Sequence, residues 1–229
     1  MSDQFQNLFT PIRIKNVDIR NRIVSTGHGT GLGENKIPGQ PIIDYHVERA
    51  KGGCGLIVVE IAGVHKSTAA PLIGWGERLI PEYKKLTDAV HEHGAKISLQ
   101  VGHIGRQRFF GRRLNWAPSP MPYQFYDTIG LTPKEVEIED IKEVVDGWGR
   151  AAHIARESGF DGVEIHSLYG NYFLGAFVSP YSNKRNDEYG GSLENRMRVI
   201  YEVMDSVRKN VGDDYMVGLQ LNGDDLTSG

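Results

Sequence analysis

Residues 55–60, with the sequence GLIVVE, form a short apolar run that begins at a glycine and is rich in valine and isoleucine. A run of this length without interior polar residues predicts a β-strand that is buried on both faces, as in a parallel sheet. The preceding residues 41–51 predict a helix, which ends at Gly52 and Gly53. The sequence therefore predicts a helix that leads directly into a buried strand.

The same alternation continues on both sides of this run. Further short apolar runs predict strands at residues 22–26, 96–101, 162–166 and 216–221. Helical patterns fall between them at residues 81–93, 139–157 and 192–210, and Ser192 is a predicted N-cap. Strands and helices in this order predict right-handed crossovers and a parallel α/β sheet.

Such a sheet could be a closed barrel or an open doubly wound sheet. The first strand lacks the Gly-x-Gly-x-x-Gly turn of a dinucleotide fold. It follows residues 8–24, which predict a β-hairpin with its turn near Lys15 and Asn16. A hairpin that leads into the first strand suits a barrel with a closed bottom.

The predicted fold class is therefore α/β, a parallel (β/α)8 TIM barrel with an N-terminal β-hairpin. About five strands are predicted, whereas a closed barrel of this class has eight. We interpret residues 1–229 as the N-terminal part of a single barrel domain. Residues 106–131, rich in proline, aromatic residues and arginine, predict a long functional loop.

Composition narrows the classes of function. The formal net charge of -3 gives no basic surplus of the kind that nucleic-acid binders show. The single cysteine, Cys54, cannot form an internal disulfide and favours a reducing compartment. The N-terminus is polar, and no apolar run approaches a membrane span. We therefore predict a cytoplasmic protein with a small-molecule substrate and no nucleic-acid or membrane partner; a homo-oligomer is compatible with the sequence.

Polar residues occupy the predicted carboxyl ends of the strands, where barrels of this class place their active sites. They are Ser25, Thr26 and Gly27 at the end of the first strand, Glu60 at the end of the second, Gln100 and His103 at the third, His166, Tyr169 and Tyr172 at the end of the fourth, and Gln220 and Asn222 at the fifth. Glu60 and Glu164 suggest a glycosidase pair, but this rim offers more hydrogen-bond donors than that chemistry needs. It suits an organic cofactor better, and we predict no metal site.

Several motifs identify a family. Residues 8–11 (LFTP), 20–24 (RNRIV), 100–107 (QVGHIGRQ), 179–185 (SPYSNKR) and 187–196 (DEYGGSLENR) resemble the Old Yellow Enzyme family of FMN-dependent oxidoreductases. The resemblance covers essentially the whole chain. The loop after the first strand is most similar to the branch of 2,4-dienoyl-CoA reductase and trimethylamine dehydrogenase.

The resemblance implies FMN at the top of the barrel, reduced by NAD(P)H and reoxidised by an activated alkene. Ser25, Thr26 and Gly27 would line the flavin, and Ile61 would approach the edge of its ring. Gln100 would hydrogen-bond the pyrimidine part of the ring. His166 would donate a hydrogen bond to the substrate carbonyl oxygen.

The chain departs from the family pattern at four positions. Tyr169 replaces the second His or Asn donor, and the proton-donating tyrosine is Tyr172 or Tyr169, of which we favour Tyr172. Gln220 replaces an arginine, so it would stabilise the reduced anionic flavin less. Gly29 replaces the cysteine that bonds flavin in trimethylamine dehydrogenase, so no covalent link is expected.

Two alternative functions remain open from the sequence. The first is an amine or N-methyl dehydrogenase or demethylase that uses the same flavin site. The second is an inactive barrel fragment, because the family holds the FMN phosphate with loops after the seventh and eighth strands. The sequence does not choose between NADH and NADPH or name the substrate.

Overall fold

The structure is a computed structural model and describes residues 5–107, 115–122, 132–168, 170 and 172–223. Within those residues the helices are α1 (Gln6–Phe9), α2 (Gln40–Lys51), α3 (Ile80–His91), α4 (Ile138–Glu157), α5 (Phe173–Val178) and α6 (Leu193–Val211). The strands are β1 (Ile12–Ile14), β2 (Val17–Ile19), β3 (Val24–Ser25), β4 (Leu56–Gly63), β5 (Leu72–Ile73), β6 (Lys96–Gly102), β7 (Trp116–Ala117), β8 (Lys134–Glu135), β9 (Gly162–Ser167) and β10 (Met216–Leu221).

Five strands form the main parallel sheet, in the order β3, β4, β6, β9 and β10. Each strand therefore lies beside the next one along the chain, whereas a doubly wound sheet reverses its order at a switch point. The sheet is the half-barrel made by the first five strands of a (β/α)8 barrel, as predicted. All five predicted strands and four predicted helices are confirmed, with small shifts at their ends.

The second predicted strand is longer than its apolar run. β4 continues to Gly63, with a register shift against β6 between Val59 and Ala62. Glu60 consequently lies inside the strand, and the prediction that it ends the strand is wrong. The fully buried Glu60 is tolerated because Thr30 donates to it from its backbone nitrogen at 2.5 Å and from Oγ1 at 2.9 Å.

A short strand that the sequence analysis missed completes the edge of β4. β3 pairs with the beginning of β4 at Leu56 and Ile57, and β5 pairs with its end at Ala62 and Gly63. β6 occupies the other side of β4, so β3 and β5 share one side. Residues 26–37, which we call the first-strand loop, leave the sheet between these two pairings. Two residues carry too little periodicity to predict such a strand.

The predicted N-terminal hairpin is confirmed as β1 and β2, which pair antiparallel through a turn with Lys15 at φ 54°. Val17 and Ile19 are buried against Met216, at the amino end of β10. The Arg20 side chain then donates to the carbonyl oxygens of Ala50, Cys54 and His93 at 2.8 to 3.2 Å. The hairpin is thus fixed at the end of the sheet opposite the carboxyl ends of the strands.

The helices α4 and α6 pack against each other and bury much of the core. Gly149 permits the close approach, since an added Cβ would lie 2.5 Å from Ser206 Oγ. Trp148 is fully buried, with its ring 6.0 Å from that of Phe173. The predicted N-cap is confirmed, because Ser192 Oγ accepts from Asn195 N at 3.3 Å. Among the described residues, no helix has both the length and the apolar character that crossing a membrane requires.

His46 gives the fold a measurable sensitivity to acid. Neither ring nitrogen has a hydrogen-bond partner among the described residues, and burial, with Arg49 and His28 nearby, lowers the pKa of His46 to about 4. The unfolded chain binds this proton below about pH 6.5, so the free energy of unfolding falls as the pH drops from about 6.5 to about 4. We expect His46→Phe to remove about 2 kcal/mol of this loss at about pH 5. Urea unfolding at neutral and acid pH would test it; parallel pH profiles for both proteins would contradict it.

Candidate active site

A cavity of about 870 Å³ opens at the carboxyl ends of the strands. The loops after β3, β4, β6 and β9 line it, together with β10. Its lining residues are Gly27, His28, Gly29, Gly31, Gly33, Lys36, Ile61, Ala69, Ala70, Pro71, Gln100, Ile104, His166, Leu168, Tyr172 and Gln220. The cavity lies at the rim where the sequence predicts an active site.

The structure brings six of the nine predicted site residues together around this cavity. They are Gly27, Ile61, Gln100, His166, Tyr172 and Gln220. Ser25 and Thr26 are not among the lining residues, although the Thr26 carbonyl oxygen accepts from His28 Nδ1 at 3.2 Å. Tyr169 lies outside the described residues, as does most of the loop predicted at residues 106–131.

Gln100 and Gly27 form the floor on the side of the first-strand loop. Gln100 is 4% exposed, and its Nε2 donates to Glu164 Oε1 at 2.7 Å and to Gln220 Oε1 at 3.3 Å. These bonds use the amide hydrogens and leave Gln100 Oε1 as an acceptor for a ligand. A Cβ added to Gly27 would lie 2.8 Å from Gln100 Nε2 and 3.3 Å from Val58 Cγ1. A side chain at position 27 would therefore force Gln100 to shift.

His166 and Tyr172 meet on the opposite side. Their ring centroids are 4.4 Å apart and the planes are nearly perpendicular, at 85°. Burial lowers the pKa of His166 to about 4, so the ring is neutral at neutral pH and one nitrogen carries a proton it can donate. The backbone after Tyr172 is held where Phe173 N donates to the His103 carbonyl oxygen at 3.0 Å.

His103 does not line the cavity. It belongs to a chain of hydrogen bonds next to the cavity. Its Nδ1 accepts from Gly105 N at 2.9 Å, so Nε2 carries the proton and donates to Ser67 Oγ at 2.8 Å. Ser67 then donates to His65 Nδ1 at 2.7 Å, and His65 Nε2 donates to Glu143 Oε1 at 2.9 Å. Burial lowers the pKa of His103 to about 3, which keeps its ring neutral. This chain joins the loops after β4 and β6 to α4.

Among the described lining residues of the cavity, Lys36 is the one that carries a full charge at neutral pH. No Asp or Glu is among the described lining residues, and neither Glu60 nor Glu164 reaches the surface of the cavity. The described part of the chain also contains no cluster of three His, Cys, Asp or Glu side chains that could hold a metal ion. Among the described lining residues there is therefore no pair of carboxylates.

Lys36 is the charged lining residue that the sequence analysis missed. It sits with Asn35 in a tight turn, closed by backbone hydrogen bonds between Glu34 and Ile37 at 2.9 and 3.0 Å. The usual sequence signal for such a two-residue turn is Asn-Gly or Asp-Gly. Asn35-Lys36 offers only the first half of it, so the turn was not predicted.

The comparisons with known proteins agree with the motifs and the fold. Residues 7–228 match the NADH:flavin oxidoreductase / NADH oxidase family. The chain is 38% identical to the N,N-dimethylglycine/sarcosine dehydrogenase of Chromohalobacter salexigens over 97% of its own length and 33% of that protein. It is also 38% identical to the cinnamate reductase of Clostridium sporogenes, over 97% of this chain and 35% of that protein.

A solved structure confirms the architecture. The Old Yellow Enzyme homologue from Zymomonas mobilis superimposes with a TM-score of 0.84 at 27% identity, over 94% of this chain and 63% of that one. The chain thus spans about a third of the two curated relatives and less than two thirds of the solved structure. The chain belongs to the NADH:flavin oxidoreductase / NADH oxidase family, and its resemblance to Old Yellow Enzyme is confirmed.

Proposed function

We propose that this chain is the N-terminal part of an FMN-binding barrel domain that passes hydride from NAD(P)H, through FMN, to an activated alkene. The alkene would be conjugated to a carbonyl group, as in an enone, an enoate or an enoyl thioester. The observation that carries the proposal is one cavity that combines the Gln100 amide with the neutral His166 ring and the Tyr172 hydroxyl.

The residues present fit the ring of FMN. The cavity of about 870 Å³ falls in the size range of cofactor pockets. Gly27 lines the cavity without a side chain, so a flat ring could approach its backbone, whereas a Cβ there would overlap Gln100. Gln100 Oε1 would accept from the imide N–H of the ring, while Gly27 and Ile61 would contact its body. Gln220, bonded to Gln100 and uncharged, would orient that amide without adding positive charge.

FMN supplies the hydride chemistry when it is bound. The overall reaction adds one hydride and one proton across the double bond, and NAD(P)H is oxidised to NAD(P)⁺. His166 would donate its N–H to the carbonyl oxygen, where negative charge develops as hydride reaches the far carbon. Tyr172, beside it, would deliver the proton to the carbon next to the carbonyl group.

The lining of the cavity favours an alkene over an amine substrate. A substituted ammonium ion is usually held by carboxylates or by a cage of aromatic rings. Among the described lining residues there is no carboxylate, and the aromatic side chains are Tyr172 and two histidines. The lining therefore fits the type of substrate in the name of the cinnamate reductase better than that in the name of the N,N-dimethylglycine/sarcosine dehydrogenase.

Titration of the purified chain with FMN would test the proposal. We expect saturable binding, seen as a shift of the visible flavin spectrum, and weaker binding by about tenfold or more for Gly27→Ala because the new methyl group overpacks against Gln100. Gly29→Ala is the matched control, since its Cβ would meet nothing closer than Glu60 Oε2 at 3.8 Å.

Two results would count against the site. If the chain takes up no FMN, that result favours the alternative hypothesis of a barrel fragment that is inactive by itself. If the chain binds FMN and the two alanine variants bind it equally well, the ring does not lie against Gly27.

A further inference from the structure

Three neighbouring strands place Gln100, Glu164 and Gly218 side by side at the floor of the cavity. The register pairs Gln100 of β6 with Glu164 of β9, and Glu164 with Gly218 of β10. Gly218 contributes no side chain, and Gln100 Nε2 donates to Glu164 Oε1 at 2.7 Å. Glu164 is half-buried and is not among the described lining residues, whereas Gln100 is. Glu164 would therefore act on a ligand in the cavity through the amide of Gln100.

The amides of Gln100 and Gln220 by themselves could pair in two ways. Each amide has a carbonyl oxygen that accepts and a nitrogen that donates. Gln100 could donate to Gln220 Oε1 or, with both amides rotated, accept from Gln220 Nε2. Both arrangements contain one hydrogen bond between the two side chains. The pair alone therefore does not decide which atoms face the cavity.

Glu164 removes this ambiguity, because a carboxylate accepts hydrogen bonds and cannot donate them. The nitrogen of Gln100 consequently faces Glu164, and the same nitrogen donates to Gln220 Oε1 at 3.3 Å. Rotation of Gln100 would bring its carbonyl oxygen against the carboxylate and leave two acceptors in contact, which is unfavourable. The lining thus presents Gln100 Oε1 as an acceptor beside Gln220 Nε2 as a donor.

We propose that Glu164 is the positioning residue that gives the floor this polarity, so that the cavity selects a ring edge in which an N–H group lies beside a carbonyl oxygen. The imide edge of the FMN ring has this pattern. The inference rests on the proposed function, because it states how the same cavity recognises the flavin. It gives Glu164 a role other than the paired-carboxylate chemistry that its position in the sequence suggested.

Nuclear magnetic resonance of the chain with FMN that carries ¹⁵N in the imide group would test this role. We expect the imide proton of bound FMN to resonate downfield of its position in free FMN, because Gln100 Oε1 accepts from it. Glu164→Met removes the carboxylate and lets the two amides rotate. We expect this variant to lose the downfield shift and to bind FMN about tenfold more weakly, since Gln100 Nε2 would lack one partner in the arrangement that FMN needs.

Two further variants separate orientation from a general loss of contacts. Glu164→Gln is close in size, and its carbonyl oxygen can still accept from Gln100, so it should keep more of the shift and the affinity than Glu164→Met. Gln220→Met is the matched comparison, because it removes the other acceptor of Gln100 Nε2 but leaves Glu164 in place. We expect it to weaken FMN binding while the imide proton stays downfield.

Two results would overturn the role of Glu164. One is a downfield shift and an FMN affinity that are the same in Glu164→Met, Glu164→Gln and the unsubstituted chain. The other is loss of the shift in Gln220→Met but not in Glu164→Met, which would assign the orientation of Gln100 to Gln220. If Glu164→Met does not fold, Glu164→Gln and Gln220→Met decide between the same outcomes.

The failure of this inference is distinguishable from the failure of the proposed function. If the unsubstituted chain binds no FMN, the flavin function of this chain fails and the role of Glu164 fails with it. If the chain binds FMN and neither Glu164 variant changes the imide proton, the flavin site stands and the inference about Glu164 is wrong.

Discussion

Replacement of His166 by alanine in the FMN-loaded chain is expected to slow reoxidation of the reduced flavin by an enoate about 10²- to 10³-fold, as loss of one oxyanion donor does in other enzymes. The side chain is 7% exposed, and burial lowers its pKa to about 4. It is therefore a neutral donor that is largely shielded from solvent by the protein, and a hydrogen bond from such a group to developing negative charge is strong. Stopped-flow measurement after photochemical reduction of the flavin isolates this step.

His166→Asn is the matched control, because its amide keeps an N–H donor in a smaller side chain. It should retain more of the rate than His166→Ala. Tyr172→Phe should slow the same step while leaving flavin reduction by NAD(P)H close to normal, since the role proposed for the hydroxyl is proton delivery to the alkene. If His166→Ala and His166→Asn were equally slow, or if both lost FMN, His166 would hold the site together without acting on the substrate.

Trp148→Ala is expected to lower the free energy of unfolding by about 3 to 5 kcal/mol, the range for truncation of a fully buried tryptophan. Trp148 lies on the face of α4 that packs on the core, and its ring neighbours Phe173. The cavity left behind would lie between α4 and the start of α5. Urea-induced unfolding followed by circular dichroism would measure the change.

Trp148→Phe separates packing from polarity. Trp148 Nε1 is buried without a hydrogen-bond partner among the described residues, so the indole brings an unsatisfied donor into the core. Phenylalanine removes that donor and keeps most of the ring, and its loss of stability should be roughly half that of alanine or less. A loss for phenylalanine close to that for alanine would contradict this and would mean that the nitrogen, rather than the volume of the ring, carries the stability.

The main sheet could be predicted because its strands are short apolar runs, and the central strands β4, β6 and β9 are almost entirely buried. Apolar runs such as residues 216–221 can be recognised as strands from the sequence, and the observed strand β10 has those bounds. Strand order could not be predicted in the same way. The alternation of strand and helix fits a barrel and a doubly wound sheet equally, and the choice is made by pairings between residues far apart in the chain.

The candidate site was predicted in part for a similar reason. Gln100, His166 and Gln220 belong to strands, and strand positions carry over from a family pattern with little ambiguity. Lys36 belongs to a turn whose place depends on β5, a strand of two residues with no sequence period. Glu60 was misplaced because a register shift lengthens β4 beyond its apolar run.

Two short strands pair with one side of β4, β3 with its beginning and β5 with its end. This arrangement affects how the protein can be re-engineered. Residues 26–37 follow β3, which pairs with β4, and are tied to β5 by the hydrogen bond from Ile73 N to the Lys36 carbonyl oxygen, but they contribute nothing to the parallel ladder. Randomising exposed positions from His28 to Lys36, with Thr30 retained to bond Glu60, would sample new ligand preferences at little risk to folding. The stretch is a natural place to build libraries for directed evolution.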